Sequence, residues 1–279
     1  MQQASSNIGA CGLCQAEDIP LCYSDLLPKA VVRWVRLSAQ PDQVNPNPYF
    51  VTPDGSRQMN FRVAEYFLCA ECEDRLNKGG ESWTLKNTYR GKPVFPLRDT
   101  LLNAPPVCGL QGARIIDGGS LPQIQMDKLV YFALSVFWKA SARRWWGVDH
   151  QTQLKLGPYE TELHKFLLGQ RKLSNRVALI INVSANPEPH VGAIYPYGGD
   201  GRVQGTRQYR FAIPGMTFWL HLGHMSQTFH ALSALQGGVL CLASDLNEIF
   251  VQDMIPLVEK AKQSRMRRTE YSQPRDLPN

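Results

Sequence analysis

Two cysteine pairs of identical spacing, Cys11-Gly12-Leu13-Cys14 and Cys69-Ala70-Glu71-Cys72, constrain this chain more than any other feature. A CxxC step bends the backbone tightly enough for two sulfurs to reach one ion. Two such steps supply the four thiolates of a closed tetrahedral zinc site. A thioredoxin-like redox pair is the competing reading, but it needs a single CxxC beside a βαβ pattern, and the first pair here follows a Ser- and Gly-containing segment instead. Structural zinc held by Cys11, Cys14, Cys69 and Cys72 is therefore expected. Cys22, Cys108 and Cys241 have no spacing that suggests a disulfide framework and read as core or surface thiols.

Residues 1–90 read as the zinc module. Between the pairs, Pro28 to Leu37 places Val31, Val32 and Val35 on one side at helical spacing and Lys29, Arg33 and Arg36 largely opposite, with Pro28 suited to a first turn. Pro41 to Gly55 is rich in Pro, Asn and Asp and is expected as loop and turn, and Phe61 to Leu68 as a strand. After Cys69, the acids Glu71, Glu73 and Asp74 mark a helix start, where carboxylates complement the positive end of the macrodipole. A knuckle pair, a strand-containing middle and a second pair opening a helix describe a treble-clef arrangement.

Residues 91–126, with many prolines and glycines, read as a connector. A helical and antiparallel β domain is expected over 127–255. Its core helix runs from Asp127 to Trp146, a second helix from Gly157-Pro158 to Gly169, and its strands lie at Val177–Val183, Val191–Tyr195, Gln208–Ile213, Met216–Leu222, Val239–Leu242 and Ile249–Val251. Residues 256–279 read as a basic helix and a loose tail. The fold class is α+β.

The net charge of +6 favours a polyanionic partner, and the basic residues concentrate in Lys29, Arg33 and Arg36 and in Lys260, Lys262, Arg265, Arg267 and Arg268. These are the candidate nucleic-acid-binding residues. The opening ten residues have neither a cationic start nor an apolar core, and the longest apolar-looking run, Leu129 to Trp138, is short for a membrane span. A cytoplasmic protein with no membrane partner is expected.

The phrase Cys11-x-x-Cys14, then Leu21-Cys22-Tyr23-Ser24-Asp25-Leu26-Leu27-Pro28-Lys29, then Leu68-Cys69-x-x-Cys72-Glu73 resembles HNH-like treble-clef proteins of bacteria, a largely uncharacterised family. The later text Leu129–Ser141 and Leu156–Leu168 looks like its continuation. The resemblance implies a ββα-metal endonuclease, in which a histidine activates water and His, Asn or acidic side chains hold Mg or Mn at the phosphodiester, in genome defence or mobile-element biology. Here Asp25 occupies the position of the motif's histidine, and no histidine lies in the zinc module. An ionised aspartate ligates Mg²⁺ but is a weak base at neutral pH. Asp25 and Glu73 are thus the candidate catalytic carboxylates of a degenerate site, and DNA or RNA is the expected partner. The alternative is a zinc-stabilised scaffold that binds a protein partner.

Other constellations read as ordinary structure. His221-Leu222-Gly223-His224 with His230 reads as strand-end and core histidines rather than a second metal site. Arg143-Arg144-Trp145-Trp146, Tyr195-Pro196-Tyr197 and Tyr209-Arg210-Phe211 combine cations with aromatics but fit a helix end and a core. Gly118-Gly119 and Gly198-Gly199-Asp200-Gly201 lack a Walker lysine and read as turns.

Overall fold

The structure is a computed structural model that describes residues 7–37, 49–52, 55–58, 63–91, 94–110, 112–145, 153–187, 191–203, 205–236 and 238–243. In chain order its elements are β1 (Ile8–Gly9), β2 (Ile19–Pro20), β3 (Cys22–Asp25), α1 (Lys29–Leu37), β4 (Tyr49–Thr52), β5 (Gly55–Gln58), β6 (Ala64–Leu68) and α2 (Ala70–Leu76). A π-helical turn (Asn77–Glu81) then leads into α3 (Ser82–Thr88), α4 (Pro96–Leu102), β7 (Cys108–Leu110), β8 (Ala113–Asp117), α5 (Met126–Ala142) and α6 (Pro158–Leu167). The chain continues through β9 (Val177–Ser184), β10 (Ile194–Val203), β11 (Thr206–Ile213), β12 (Met216–Gly223), α7 (Gln227–Ala231) and β13 (Val239–Ala243). This is an α+β protein. The expected strand at Ile249–Val251 and the basic helix carrying Lys260, Lys262, Arg265, Arg267 and Arg268 lie outside the described residues.

Nine strands form one sheet in the order β5-β4-β10-β11-β12-β9-β13-β8-β7. Two neighbours run parallel, β4 with β10 and β9 with β13, and the rest are antiparallel. β9 is buried along its whole length, which is why Val177–Ser184 reads as a continuous apolar run rather than an alternation. Its even-handed burial separates two faces. Leu179, Ile181, Phe211, Phe218 and Leu220 join the main core beneath α5, while Ile115, Ile180, Val239 and Cys241 form a second cluster against Trp219, Phe229 and Leu232. Beneath α5, Phe211 and Phe218 stack at 4.5 Å, and Phe132 and Phe137 meet them edge-on.

Helix α5 is apolar on nearly every side, and twelve of its residues are buried. It ends at Ala142, four residues earlier than expected from sequence (Trp146), because Arg143 turns to an extended conformation. The next residues re-enter the core: Trp145 is buried, and its Nε1 donates to the Lys139 carbonyl at 2.9 Å. Against α5 lies the helical run from α2 to α3, interrupted by the π turn at Gly79-Gly80. A Cβ on Gly80 would stand 2.3 Å from the Lys128 carbonyl oxygen and 2.6 Å from the Phe132 nitrogen. Backbone meets backbone here, and only glycine permits it.

Two stretches expected as turn and connector carry regular structure. Tyr49–Thr52 and Gly55–Gln58 form a hairpin at one edge of the sheet, and β7 with β8 forms the other edge, preceded by α4 with buried Leu97 and Leu101. Gly198–Gly201 is not a free turn but an irregular part of β10, where its register against β11 shifts.

His221 sits on the second face of the sheet with an almost inaccessible ring, 1% exposed. Its Nδ1 lies 3.4 Å from Thr206 Oγ1, Phe229 packs edge-on at 4.7 Å, and Nε2 is buried with no hydrogen-bond partner among the described residues. Burial, with a smaller push from Arg210, lowers its pKa from 6.5 to about 4. A depressed histidine contributes stability that is fully present above the unfolded value and is lost as pH falls through the folded one. Wild type is therefore expected to lose on the order of 3 kcal/mol more than His221→Phe between pH 6.5 and 4, measured by urea denaturation. Parallel pH dependence in the two proteins would show that the ring is not buried neutral.

Candidate metal centre

The two cysteine pairs converge because each is held by its own backbone device. Cys11–Cys14 forms a knuckle after β1, which pairs with β2 across Ile8↔Pro20 and Gly9↔Ile19. The Cys11 N–H donates to Ala16 O and the Gln15 N–H to Cys11 O, both at 2.9 Å, and Gln15 takes a left-handed φ of 61°. The Gly12 N–H then ties the knuckle to Phe67 O of β6 at 2.9 Å, and a Cβ on Gly12 would lie 2.1 Å from the Phe67 ring. Glycine is required for that approach.

The second pair follows β6 directly. Cys69 is the extended N-cap of α2, its carbonyl accepts from the Glu73 N–H at 3.0 Å, and Cys72 lies in the first turn. The Cys69 N–H points at Cys11 Sγ, 3.3 Å away. Thiolates at this position face the positive end of the helix.

All four sulfurs lie within 4.8 Å of one another; Cys11, Cys69 and Cys72 are buried and Cys14 is exposed. The Cys14–Cys69 separation is 3.9 Å. A disulfide would bring them to about 2.05 Å, whereas the edge of a tetrahedron with metal–sulfur bonds of about 2.3 Å is about 3.8 Å. The spacing is that of four ligands around one ion.

The protonation pattern agrees. At Cys11, burial opposes ionisation, but hydrogen bonds from the backbone of Cys69, Cys14 and Leu13 outweigh it and bring the thiol from 9.0 to about 7. Burial pushes Cys72 and Cys69 up, and proximity to Cys11 adds to both. One thiolate forms readily and opposes the next. A divalent cation removes that opposition, so the four cysteines are positioned to hold a metal ion. Cys22 stands apart on β3, paired with Leu68, its thiol raised by burial and then by Glu73 and Cys11.

Asp25 ends β3, opposite Ala64 of β6. Glu73 follows Cys72 in α2, and its Oε1 is buried without a hydrogen-bond partner among the described residues. Sequence reasoning missed two neighbours of this pair. Lys139 of α5 is buried at 5% exposure and donates from Nζ to the Asp25 carbonyl at 2.7 Å. The carboxyl of Glu81, in the π turn, is pushed up by burial, pulled down by Lys139 and pushed up again by Glu73 and Asp25. Four charged groups thus share the interior beside the cysteine helix. Among the described residues, only the four cysteines bring three or more His, Cys, Asp or Glu ligand atoms together.

His164 was also missed. From α6, its Nε2 lies 2.6 Å from Leu13 O inside the knuckle, and its ring stacks on Trp138 at 5.7 Å. It supports the metal loop from outside without reaching the sulfurs. The signal was its place in an amphipathic helix with no exposed partner of its own, which sequence alone does not connect to residue 13.

The basic face of α1 is as expected: Lys29, Arg33 and Arg36 are exposed, and Val31, Val32 and Val35 are buried. On the two-stranded antiparallel β3–β6 sheet an exposed aromatic pair lies two residues before Asp25 on β3 and across from it on β6. Tyr23 and Tyr66 are cross-strand partners with ring centroids 5.1 Å apart, 53% and 37% exposed. No helix of the described residues is long and apolar enough to cross a membrane. No family model matches the chain, and no curated protein or solved structure matches it.

Proposed function

We propose that this chain is a zinc-stapled, HNH-like treble-clef protein that binds nucleic acid and whose nuclease site is degenerate. The knuckle at Cys11–Cys14, the two-stranded β3–β6 sheet and the helix opened by Cys69 and Cys72 support the treble-clef reading. Zinc suits a closed site of four sulfurs, where it stabilises the fold and leaves no position open for substrate. The observation that carries the nucleic-acid reading is the exposed Tyr23–Tyr66 pair on the β3–β6 sheet, with the basic face of α1 following β3 in the chain. Bases stack on exposed aromatics while Lys and Arg neutralise the phosphates.

Cleavage is a different matter. Asp25, Glu73 and Glu81 lie near the buried Lys139, but among the described residues their carboxylate oxygens do not come together closely enough, with each other or with a histidine, to cage a Mg²⁺ or Mn²⁺ ion. Binding without robust cutting is the expected behaviour.

Fluorescence anisotropy with labelled single-stranded and duplex DNA and RNA tests this. Tyr23→Ala with Tyr66→Ala is expected to weaken single-strand binding by about 1–3 kcal/mol per lost stack. Replacing Lys29 and Arg33 by Gln should flatten the duplex slope of log affinity against log salt by about 1.8 units. Absence of affinity at low salt, together with capture of a defined protein partner, would replace this reading with that of a scaffold.

A further inference from the structure

A small open pocket lies where the start of β9 meets the end of β12, remote in sequence from the cysteines. Asn175, Arg176, Gly223, His224, Met225 and His230 line a volume of about 160 Å³. The Gly223 N–H donates to the Arg176 carbonyl at 2.9 Å, tying the two strand ends together. Gly223 takes a φ of +137°, and a Cβ there would come within 2.9 Å of the Gly205 carbonyl oxygen. Glycine thus allows the turn that carries the chain out of β12 into the pocket wall.

Beside Gly223 and Met225, the pocket's lining holds Arg176, two histidines and Asn175, with no acidic residue among the described residues that line it. Glu162, which accepts from the Ser174 N–H next to Asn175, is not part of it. His230 Nδ1 is paired with Gln236 Oε1. A metal ion is the wrong occupant, because no three His, Cys, Asp or Glu ligand atoms converge here and the His221 ring turns to Thr206 and Phe229 instead. The pocket is open and has room for a tetrahedral oxyanion.

We propose that this pocket binds a phosphate group, with the Arg176 fork pairing with two oxygens while Asn175, His224 and His230 donate to the others. Free phosphate and the terminal phosphate of a nucleic acid share this chemistry. The site is separate from the metal centre and does not depend on the nucleic-acid reading of the β3–β6 sheet.

The test is titration of the full chain with inorganic phosphate, followed calorimetrically and by the histidine ring resonances. Saturable binding is expected, weakened at least about tenfold in Arg176→Gln and several-fold in His224→Gln with His230→Gln. Arg171→Gln, an exposed neighbour outside the pocket, should bind as wild type does. A short single strand with a 5′-phosphate, compared with its 5′-hydroxyl counterpart, separates the sources. Tighter binding of the phosphorylated strand that Arg176→Gln abolishes assigns a nucleic-acid terminus, and equal binding of the two beside saturable inorganic phosphate assigns the free ion. Wild type that shows no saturable phosphate binding, or Arg176→Gln that behaves like Arg171→Gln, would overturn the proposal.

Discussion

Serine at Cys72 is expected to abolish stoichiometric zinc and to destabilise the protein by at least about 5 kcal/mol, a fraction of the roughly 10–16 kcal/mol that structural zinc contributes in small zinc-binding peptides. The reason is local. β1 and β2 are two residues each, the knuckle holds two left-handed non-glycine residues, Gln15 and Asp18, and three of the four sulfurs are buried. Nothing in so short a segment replaces the ion as a staple. The effect should spread, because Leu13, Leu68 and Leu76 around the cysteines belong to the same apolar cluster as Phe132 and Leu134 of α5. Thermal melting with and without chelator, and metal analysis of the purified variant, give the readout. Cys22→Ser is the control and should keep its metal, since Cys22 is outside the sulfur cluster. Full zinc and unaltered melting in Cys72→Ser would mean that the ligand set is wrong.

Alanine at Lys139 should cost about 3–5 kcal/mol, the usual penalty for removing one partner from a buried charged group. Its ammonium is the donor to the Asp25 carbonyl, and its charge holds down the Glu81 carboxyl against burial and against Glu73 and Asp25. The pH dependence gives a second signature. Glu81 already has a raised carboxyl, so its contribution to stability is fully present below the unfolded carboxylate value and is lost as pH rises through the folded one. Without Lys139 the folded value rises further. The loss in Lys139→Ala should therefore be larger at pH 7 than at pH 4.5, by urea denaturation. Lys139→Met, which keeps the volume, should recover part of it. A small loss that is the same at both pH values would show that the lysine is not coupled to Glu81.

How much of this was legible in sequence follows from the range of the interactions. The cysteine cluster was legible because CxxC geometry is set within four residues, α1 and α6 because one buried face imprints a helical period, and α5 and β9 because they are long apolar runs. The sheet edges were not. Tyr49–Thr52 and Cys108–Leu110 are short strands in Pro-, Asn- and Gly-rich text; the first joins the sheet through the distant Ile194, and the second through its hairpin partner β8, which the distant β13 holds in the sheet. Lys139 was hidden for a related reason: on a helix buried on nearly all sides, a lysine looks like the exposed stripe until the Asp25 carbonyl is found above it. Glu81 and His164 act through space on residues they never neighbour in the chain, and Arg176 meets His224 only because β9 and β12 are adjacent.

The claim on which the rest depends is that four thiolates surround one ion. X-ray absorption at the zinc edge of the purified full chain tests it most directly. One zinc per chain with a shell of four sulfurs at about 2.3 Å is the expected result. A folded protein without metal, or a first shell containing nitrogen or oxygen, would contradict it.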